Sequence, residues 1–444
     1  MKRKLINEFV IRLFTLAFVI SLGSVAVAGE TYQLKIITDR ENALYAVGEE
    51  AKFTISLTKD GEPVSGQKVS YAVDDFIPVT ADNNQYPHGT LSTGDKPTIV
   101  TVKSTKPIFL RCTVTVQTPN KLTAVAAVGF SPLEIGLSTP VPDDFDEFWS
   151  NQKKQLSIVP AKSTLNPVPH SDDSIVCFDV KIDCSGGAPV SGYLGKPKNA
   201  KPKSLPIVLW VHGAGVRSSS LGNAVKGAQN GMLSMDINAH GIENGKPGEF
   251  YKDLSAGRLR GYPHSGNDSR DKTYFRGMFL RLVRAIDFLT SQPEWDGKTV
   301  AVIGHSQGGG QALVAGGIDD RVTFIATGVP AICDHSGRAA ERINGWPKLV
   351  PTNADGTPSA PELLAGQYVD AVNFASRCSA DAIMSVGFID RTCPPSSCFA
   401  AYNQLKGKKQ VINKPLMGHA APADIQEAFF AAILEHVNQQ AKEK

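Results

Sequence analysis

Hydrophobic positions follow two different rhythms along this chain. From Tyr32 to about Phe130 they come in short alternating runs, AKFTISLT and QKVSYAV among them, broken by turn signals such as Asp60-Gly61-Glu62-Pro63. Alternation places successive side chains on opposite faces of a half-buried strand, so this stretch predicts a small all-β sandwich of immunoglobulin-like type. Further on, the apolar runs become continuous: IVCFDVKI (175 to 182), VSGYLG (190 to 195), PIVLWVHG (206 to 213), MLSMDINAHG (232 to 241), TVAVIGHS (299 to 306), VTFIATGVP (322 to 330), AIMSVGFID (382 to 390) and KQVINKPL (409 to 416). Runs of this kind suit a parallel sheet buried on both faces. Between them FRGMFLRLVRAIDFLTSQ carries Phe275, Phe279, Leu282, Ile286 and Leu289 at helical spacing, with Arg276, Arg281, Arg284 and Asp287 expected on the other side. Strands alternating with helices predict a doubly wound, mostly parallel α/β sheet with its active site beyond the carboxyl ends of the strands.

Pro132, Pro140 and Pro142 interrupt any regular element between the two rhythms, which divides the chain into residues 29–130 and 131–444. A length of 444 residues accommodates both. Residues 1–28 form a third pattern. Lys2, Arg3, Lys4 and Arg12 are basic, Leu13 to Gly23 is apolar, and Ala26-Val27-Ala28 reads as a cleavage site, so a secretory signal and an exported mature chain are expected. The apolar run is too short for the ~20 residues of a spanning helix, so no membrane span is expected after cleavage. A net charge of +3 with no basic run beyond Lys2-Arg3-Lys4 offers no footprint for nucleic acid. Seven cysteines leave at least one unpaired within the chain; Cys393 with Cys398 is the best candidate to bridge, and for them a structural or free thiol is favoured over a zinc site. No histidine stands at metal spacing from that pair, and no metal or organic cofactor is expected.

Candidate chemistry centres on VAVIGHSQGGG, residues 300 to 310. Here a Gly-x-Ser-x-Gly pentapeptide lies between a four-residue apolar run and a string of small residues, the context in which a strand turns sharply into a helix and presents a nucleophile. Ser306 is that candidate. The geometry of such sheets then asks for an acid at the end of a later strand and a base in the loop after the last one. Asp390 closes MSVGFID and His419 closes Leu416-Met417-Gly418-His419. Asp381 stands at the wrong edge of its strand, and Asp334 with His335 is the competing pair, otherwise expected at the pocket rim. His419 would take the serine proton while Asp390 holds the ring in the right tautomer. Two backbone amides would receive the oxyanion, from Gln307 after the nucleophile and from Ala214 in the His212-Gly213-Ala214-Gly215 turn. His240, at the end of a central strand, is expected to be a hydrogen-bonded structural residue. Trp346 is read either as a sugar-stacking cap or as packing.

Residues 140 to 440 resemble the acetyl xylan esterases and cephalosporin C deacetylases of carbohydrate esterase family seven, within the α/β-hydrolase superfamily. The resemblance is carried by PDDFDEFW (142 to 149), TYFRGMFLRLVRAIDFL (273 to 289), IGHSQGGGQAL (303 to 313), and DAVNFASR through MSVGFIDRTCPPSSCFAAYNQL to MGH (370 to 419). It implies deacetylation of small acetylated sugars or oligosaccharides by Ser306, Asp390 and His419, without a cofactor. Three positions depart from the family pattern: Asn238-Ala239-His240-Gly241 stands for its RGQG, Ala214 for its tyrosine, and Ala420 for the glutamate after its histidine. Family members assemble into hexameric rings, which an added N-terminal domain could obstruct, so a homo-oligomer is an open expectation. The alternatives are a broad carboxylesterase or serine peptidase of the same fold, and a glycan-binding protein with an inactive hydrolase domain.

Overall fold

The computed structural model describes residues 23–27, 30–77 and 85–442; the rest of the expected export signal lies outside them. Two five-stranded sheets make up the N-terminal part. One contains Glu30–Thr38, Glu50–Lys59 and Thr98–Lys103, and the other Lys121–Phe130, Ile108–Gln117, Lys68–Asp74 and His88–Ser92. Glu50–Lys59 buries Ala51, Phe53, Ile55 and Leu57, every second residue, as its sequence alternation requires. In Ile108–Gln117 the alternation fails over the first five residues, which are all buried. Both faces are covered there. Phe109 leaves the sandwich and packs on Phe388 and Phe399 of the C-terminal part, with ring centroids 4.9 and 5.5 Å away. The Asn403 side-chain amide donates to the carbonyls of Pro132 and Ile135 at 2.9 and 2.8 Å, tying the connecting segment to the same surface.

The C-terminal part is built on one nine-stranded sheet: β1 (Ser163–Val168), β2 (Ile175–Ile182), β3 (Val190–Pro197), β4 (Leu205–Val211), β5 (Leu233–Ile237), β6 (Trp295–His305), β7 (Phe324–Gly328), β8 (Asp381–Gly387) and β9 (Lys409–Lys414). Their spatial order is β1-β2-β3-β5-β4-β6-β7-β8-β9. The first three pairings are antiparallel and the remaining five parallel. This is the α/β-hydrolase arrangement. β4, β5 and β7 are buried at every position, in keeping with their unbroken apolar runs. β1 was not foreseen from the sequence: it is an exposed antiparallel edge containing Pro167, with no hydrophobic face to announce it.

The helix Tyr274–Thr290 packs against the sheet along its apolar stripe, yet Arg281 and Arg284 are buried with it. Each guanidinium reaches backbone carbonyls, Arg281 that of Ala239 at 2.7 Å and Arg284 those of Leu156 and Val159 at 2.7 and 2.8 Å. No disulfide joins the candidate pair Cys393 and Cys398, and both are free structural thiols. All seven cysteines are free and buried, and the Cys398 thiol is directed to the carbonyls of Cys393 and Pro330 at 3.7 and 3.8 Å.

Candidate active site

β6 ends at His305, and the helix Gln307–Ile318 begins two residues later. Ser306 alone makes the turn, at φ 57 and ψ −123, a backbone conformation that side-chain-bearing residues rarely adopt. Two contacts explain the flanking glycines. A Cβ at Gly304 would lie 2.5 Å from the backbone of Gly308 and from the carbonyl oxygen of Val211, and one at Gly308 would lie 2.2 Å from that same oxygen. The strained turn is held by hydrogen bonds from the Ser306 amide to the Gly328 carbonyl at 2.8 Å and from the Ala331 amide to the Ser306 carbonyl at 2.9 Å.

Asp390 lies three residues past the end of β8 and His419 five residues past the end of β9. The two loops are interlocked: the Ile389 amide donates to the Met417 carbonyl at 3.2 Å, and Gly387 has no room for a side chain beneath Met417 and Gly418. His419 Nδ1 is 2.8 Å from Asp390 Oδ2, and its Nε2 is 2.9 Å from Ser306 Oγ. Asp390 Oδ1 accepts the amides of Thr392 and Cys393 at 2.8 and 3.0 Å. The aspartate is fully buried, whereas the histidine side chain is 29 % exposed, so the far end of this relay is dry and the near end is open to a ligand. An oxyacid, an imidazole and a hydroxyl in this order can transfer a proton from the hydroxyl as it attacks a carbonyl carbon.

Beside Ser306 the loop after β4 carries the expected oxyanion donor. A Cβ on Gly213 would sit 3.5 Å from Ser306 Cβ, which places this loop against the nucleophile. Arg217 folds back on it, donating to the carbonyls of Ala214 at 2.8 Å and Gly213 at 3.2 Å. His212 is half-buried with Nδ1 3.1 Å from the Gly213 carbonyl, and desolvation lowers its pKa to about 4. Gln307 is completely buried, at the first turn of the helix that Ser306 caps, so helix dipole and amide point toward the same space.

Ser306, Asp390, His419, Gln307 and the Ala214 loop are thus gathered at one end of the sheet, while the competing pair is elsewhere. Asp334 and His335 are 2 % and 1 % exposed and form no pocket rim. Asp334 is bound by Ser138 and by Arg342, and the amides of Asp334 and His335 both donate to Asp370, at 2.9 and 2.7 Å. His240 is buried and hydrogen-bonded, and Trp346 packs against the core. Sequence reasoning gave no site role to Cys393, whose amide donates to Asp390 and whose thiol is pushed well above its ordinary pKa by burial, and missed Tyr262, whose hydroxyl donates to Gln307 Oε1 at 2.6 Å. One atom each of Asp390, Cys393 and His419 lie within 4.8 Å of one another, the one cluster of metal-ligand type among the described residues. The oxygens of Asp390 and the nitrogens of His419 are already committed to the relay and its amides.

Comparison with known proteins identifies the chain's family. Residues 137–436 match the acetyl xylan esterase (AXE1) family model. Acetyl esterase Axe7A of Xylanibacter ruminicola is 32 % identical over 419 residues, covering 92 % of both chains. The acetyl xylan esterase of Paenibacillus sp. R4 superposes with a TM-score of 0.58 at 29 % identity, covering 68 % of this chain and 97 % of its own. That of Thermoanaerobacterium sp. JW/SL YS485 shares the fold, with a TM-score of 0.55, 24 % identity and the same coverage. The two structural relatives are therefore accounted for almost whole by two thirds of this chain, whereas Axe7A runs alongside nearly all of it. On the breadth of these matches the chain belongs to the acetyl xylan esterase family and is a carboxylic ester hydrolase.

Proposed function

We propose that this protein removes acetyl groups from acetylated xylo-oligosaccharides or related sugar acetates through an acetyl-serine intermediate, and that it acts after export. The observation that carries the reading is the unbroken chain Asp390–His419–Ser306 beside the Ala214 loop, in a member of a family named for acetyl xylan esterase activity. Ser306 Oγ attacks the acetyl carbonyl while His419 Nε2 takes its proton, and Asp390 stabilises the resulting imidazolium. The amides of Gln307 and Ala214 receive the negative oxygen. His419 then protonates the departing sugar oxygen, leaving acetyl on Ser306. A water that gives its proton to His419 attacks this ester, and collapse of the second tetrahedral intermediate returns the proton to Ser306 and releases acetate.

Support for export is the basic, apolar and small-residue succession of residues 1–28. Residues 29–130 are assigned a structural role, on the seating of Phe109 between Phe388 and Phe399. The reaction is tested by acetate release from acetylated xylo-oligosaccharides, beside an aryl acetate and a peptide amide, for wild type and Ser306→Ala. Sugar deacetylation that vanishes in the variant is the expected result. Cleavage of the aryl ester alone would make the enzyme a general carboxylesterase, amide cleavage a peptidase, and activity surviving in Ser306→Ala would overturn the mechanism.

A further inference from the structure

The two proposed oxyanion donors belong to elements far apart in sequence, the loop after β4 and the helix after β6. Their amides must hold a fixed separation that puts each about 2.7–3.1 Å from the same oxygen. In this chain the loop residue is alanine, so its own side chain contributes almost nothing to holding it in place. The backbone around it is held from beneath instead. His240 Nε2 is 3.2 Å from the Gly215 carbonyl, and Nδ1 is 2.7 Å from the Tyr274 hydroxyl. Burial lowers the His240 pKa to about 3, so the ring is neutral in the working range and has one proton to place. A carbonyl can only accept, which puts that proton on Nε2 and makes Tyr274 the donor to Nδ1.

Tyr262 completes the arrangement. Its ring stands edge-on to His240 with centroids 4.6 Å apart and packs against Tyr274 at 5.0 Å. Its hydroxyl donates to Gln307 Oε1 at 2.6 Å. Burial pushes this hydroxyl up to about 12, so it remains protonated and keeps donating. The Gly215 carbonyl is thus held by His240, and Tyr262, packed edge-on against that imidazole, carries the hold on to Gln307. Gln307 Nε2 has no partner among the described residues, which leaves Tyr262 as the single polar anchor of that buried side chain.

We propose that Tyr262 is a positioning residue for the oxyanion hole, its hydroxyl on the Gln307 side chain and its ring on the His240 imidazole that holds the Ala214–Gly215 loop, so that the two amide donors keep a fixed separation. The inference rests on the function proposed above. Tyr262 touches neither substrate nor the reacting atoms; it acts through His240 and Gln307. Removing the hydroxyl leaves the phenyl ring against His240 and frees the Gln307 carbonyl oxygen from its tether to that ring. Loss of an entire oxyanion donor costs about 10²–10³ in turnover, and loosening one costs a part of that.

The test compares wild type, Tyr262→Phe, Gln307→Met and the double variant on an aryl acetate. Gln307→Met keeps the backbone amide while removing the side-chain end of the same link, so it reads the proposal even where Tyr262→Phe folds poorly. Each single variant is expected to lower kcat about 10-fold with KM within about 2-fold, and the double variant to be no worse than either single one, because both cut one connection. Inhibition by a small boronic acid, whose tetrahedral adduct on Ser306 places an oxygen in the hole, should weaken by the same factor as kcat. Unchanged kcat and boronate affinity in Tyr262→Phe, or single effects that multiply in the double variant, would overturn the proposal. A wild type that cleaves no acetate through Ser306 would remove the functional reading alone, since boronate affinity still reports on the hole.

Discussion

On the acid–base side of Ser306 the holding groups are mainly backbone. Two amides fix Asp390, the loops of Asp390 and His419 share a main-chain hydrogen bond, and the support behind them is aromatic, Phe388 packed on Phe109 from the N-terminal sheets. On the oxyanion side the holding groups are polar side chains: exposed Arg217 and buried His240 on loop carbonyls, and buried Tyr262 on Gln307. The difference has an energetic meaning. Backbone amides are present whatever the side chains are, so the first wall tolerates substitution around it, whereas the second depends on a few hydroxyl and ring atoms whose loss leaves buried partners unpaired. It also means that the two walls lean on different parts of the chain, one on the N-terminal sheets and the other only on the hydrolase core.

The comparison can be strained from either side. The largest effect is expected for Asp390→Asn, which keeps the shape of the acid but presents the wrong partner to His419 Nδ1; kcat on an aryl acetate should fall by about 10⁴. A loss below tenfold would move the acid to another residue. Next comes Phe109→Ala. Emptying a site between two buried rings should cost about 3–5 kcal/mol of stability. All four tryptophans lie in the C-terminal part, at 149, 210, 295 and 346, so their fluorescence during denaturation reads how far a cavity in the N-terminal sheets weakens the hydrolase core. A midpoint unchanged by that readout would separate the sheets from the acid–base wall.

The smallest effect concerns a buried histidine set apart from both walls. His335 has both ring nitrogens unpartnered among the described residues, and burial lowers its pKa to about 3. The folded protein therefore does not take up the proton that the unfolded chain accepts near pH 6.5. The associated stability is present above that value and is lost as the pH falls from about 6.5 toward 3. His335→Met should flatten the decline of stability between pH 6.5 and 4 by up to one proton, about 1.4 kcal/mol per pH unit. Parallel curves for the two proteins would mean that His335 is protonated in the folded state.

Much of the large sheet was legible because burial on both faces leaves unbroken apolar runs, and the elbow at Ser306 was legible because the strained turn and its close backbone contacts call for small residues at fixed spacing. Asp390 and His419 could be picked out by topology, because residues just past the ends of β8 and β9 lie at the same end of the sheet as the turn. What escaped had no local signature. Tyr262 lies in an irregular stretch ahead of the helix Tyr274–Thr290, and nothing in its neighbours indicates that it meets Gln307, 45 positions later. Arg281 and Arg284 look like a solvated face until their carbonyl partners are known. Phe109 reads as one more inward residue of a sandwich strand, and its contact with Phe388 spans most of the chain.

The seven buried thiols have a practical side. With no sulfur bridge to close and none of those sulfurs at the surface, the architecture makes no demand on oxidants or disulfide isomerases, and its assembly depends on packing alone. The same native shape is therefore open to the chain in a reducing or an oxidising compartment, and a change of host for its production would not have to reproduce the chemistry of an envelope.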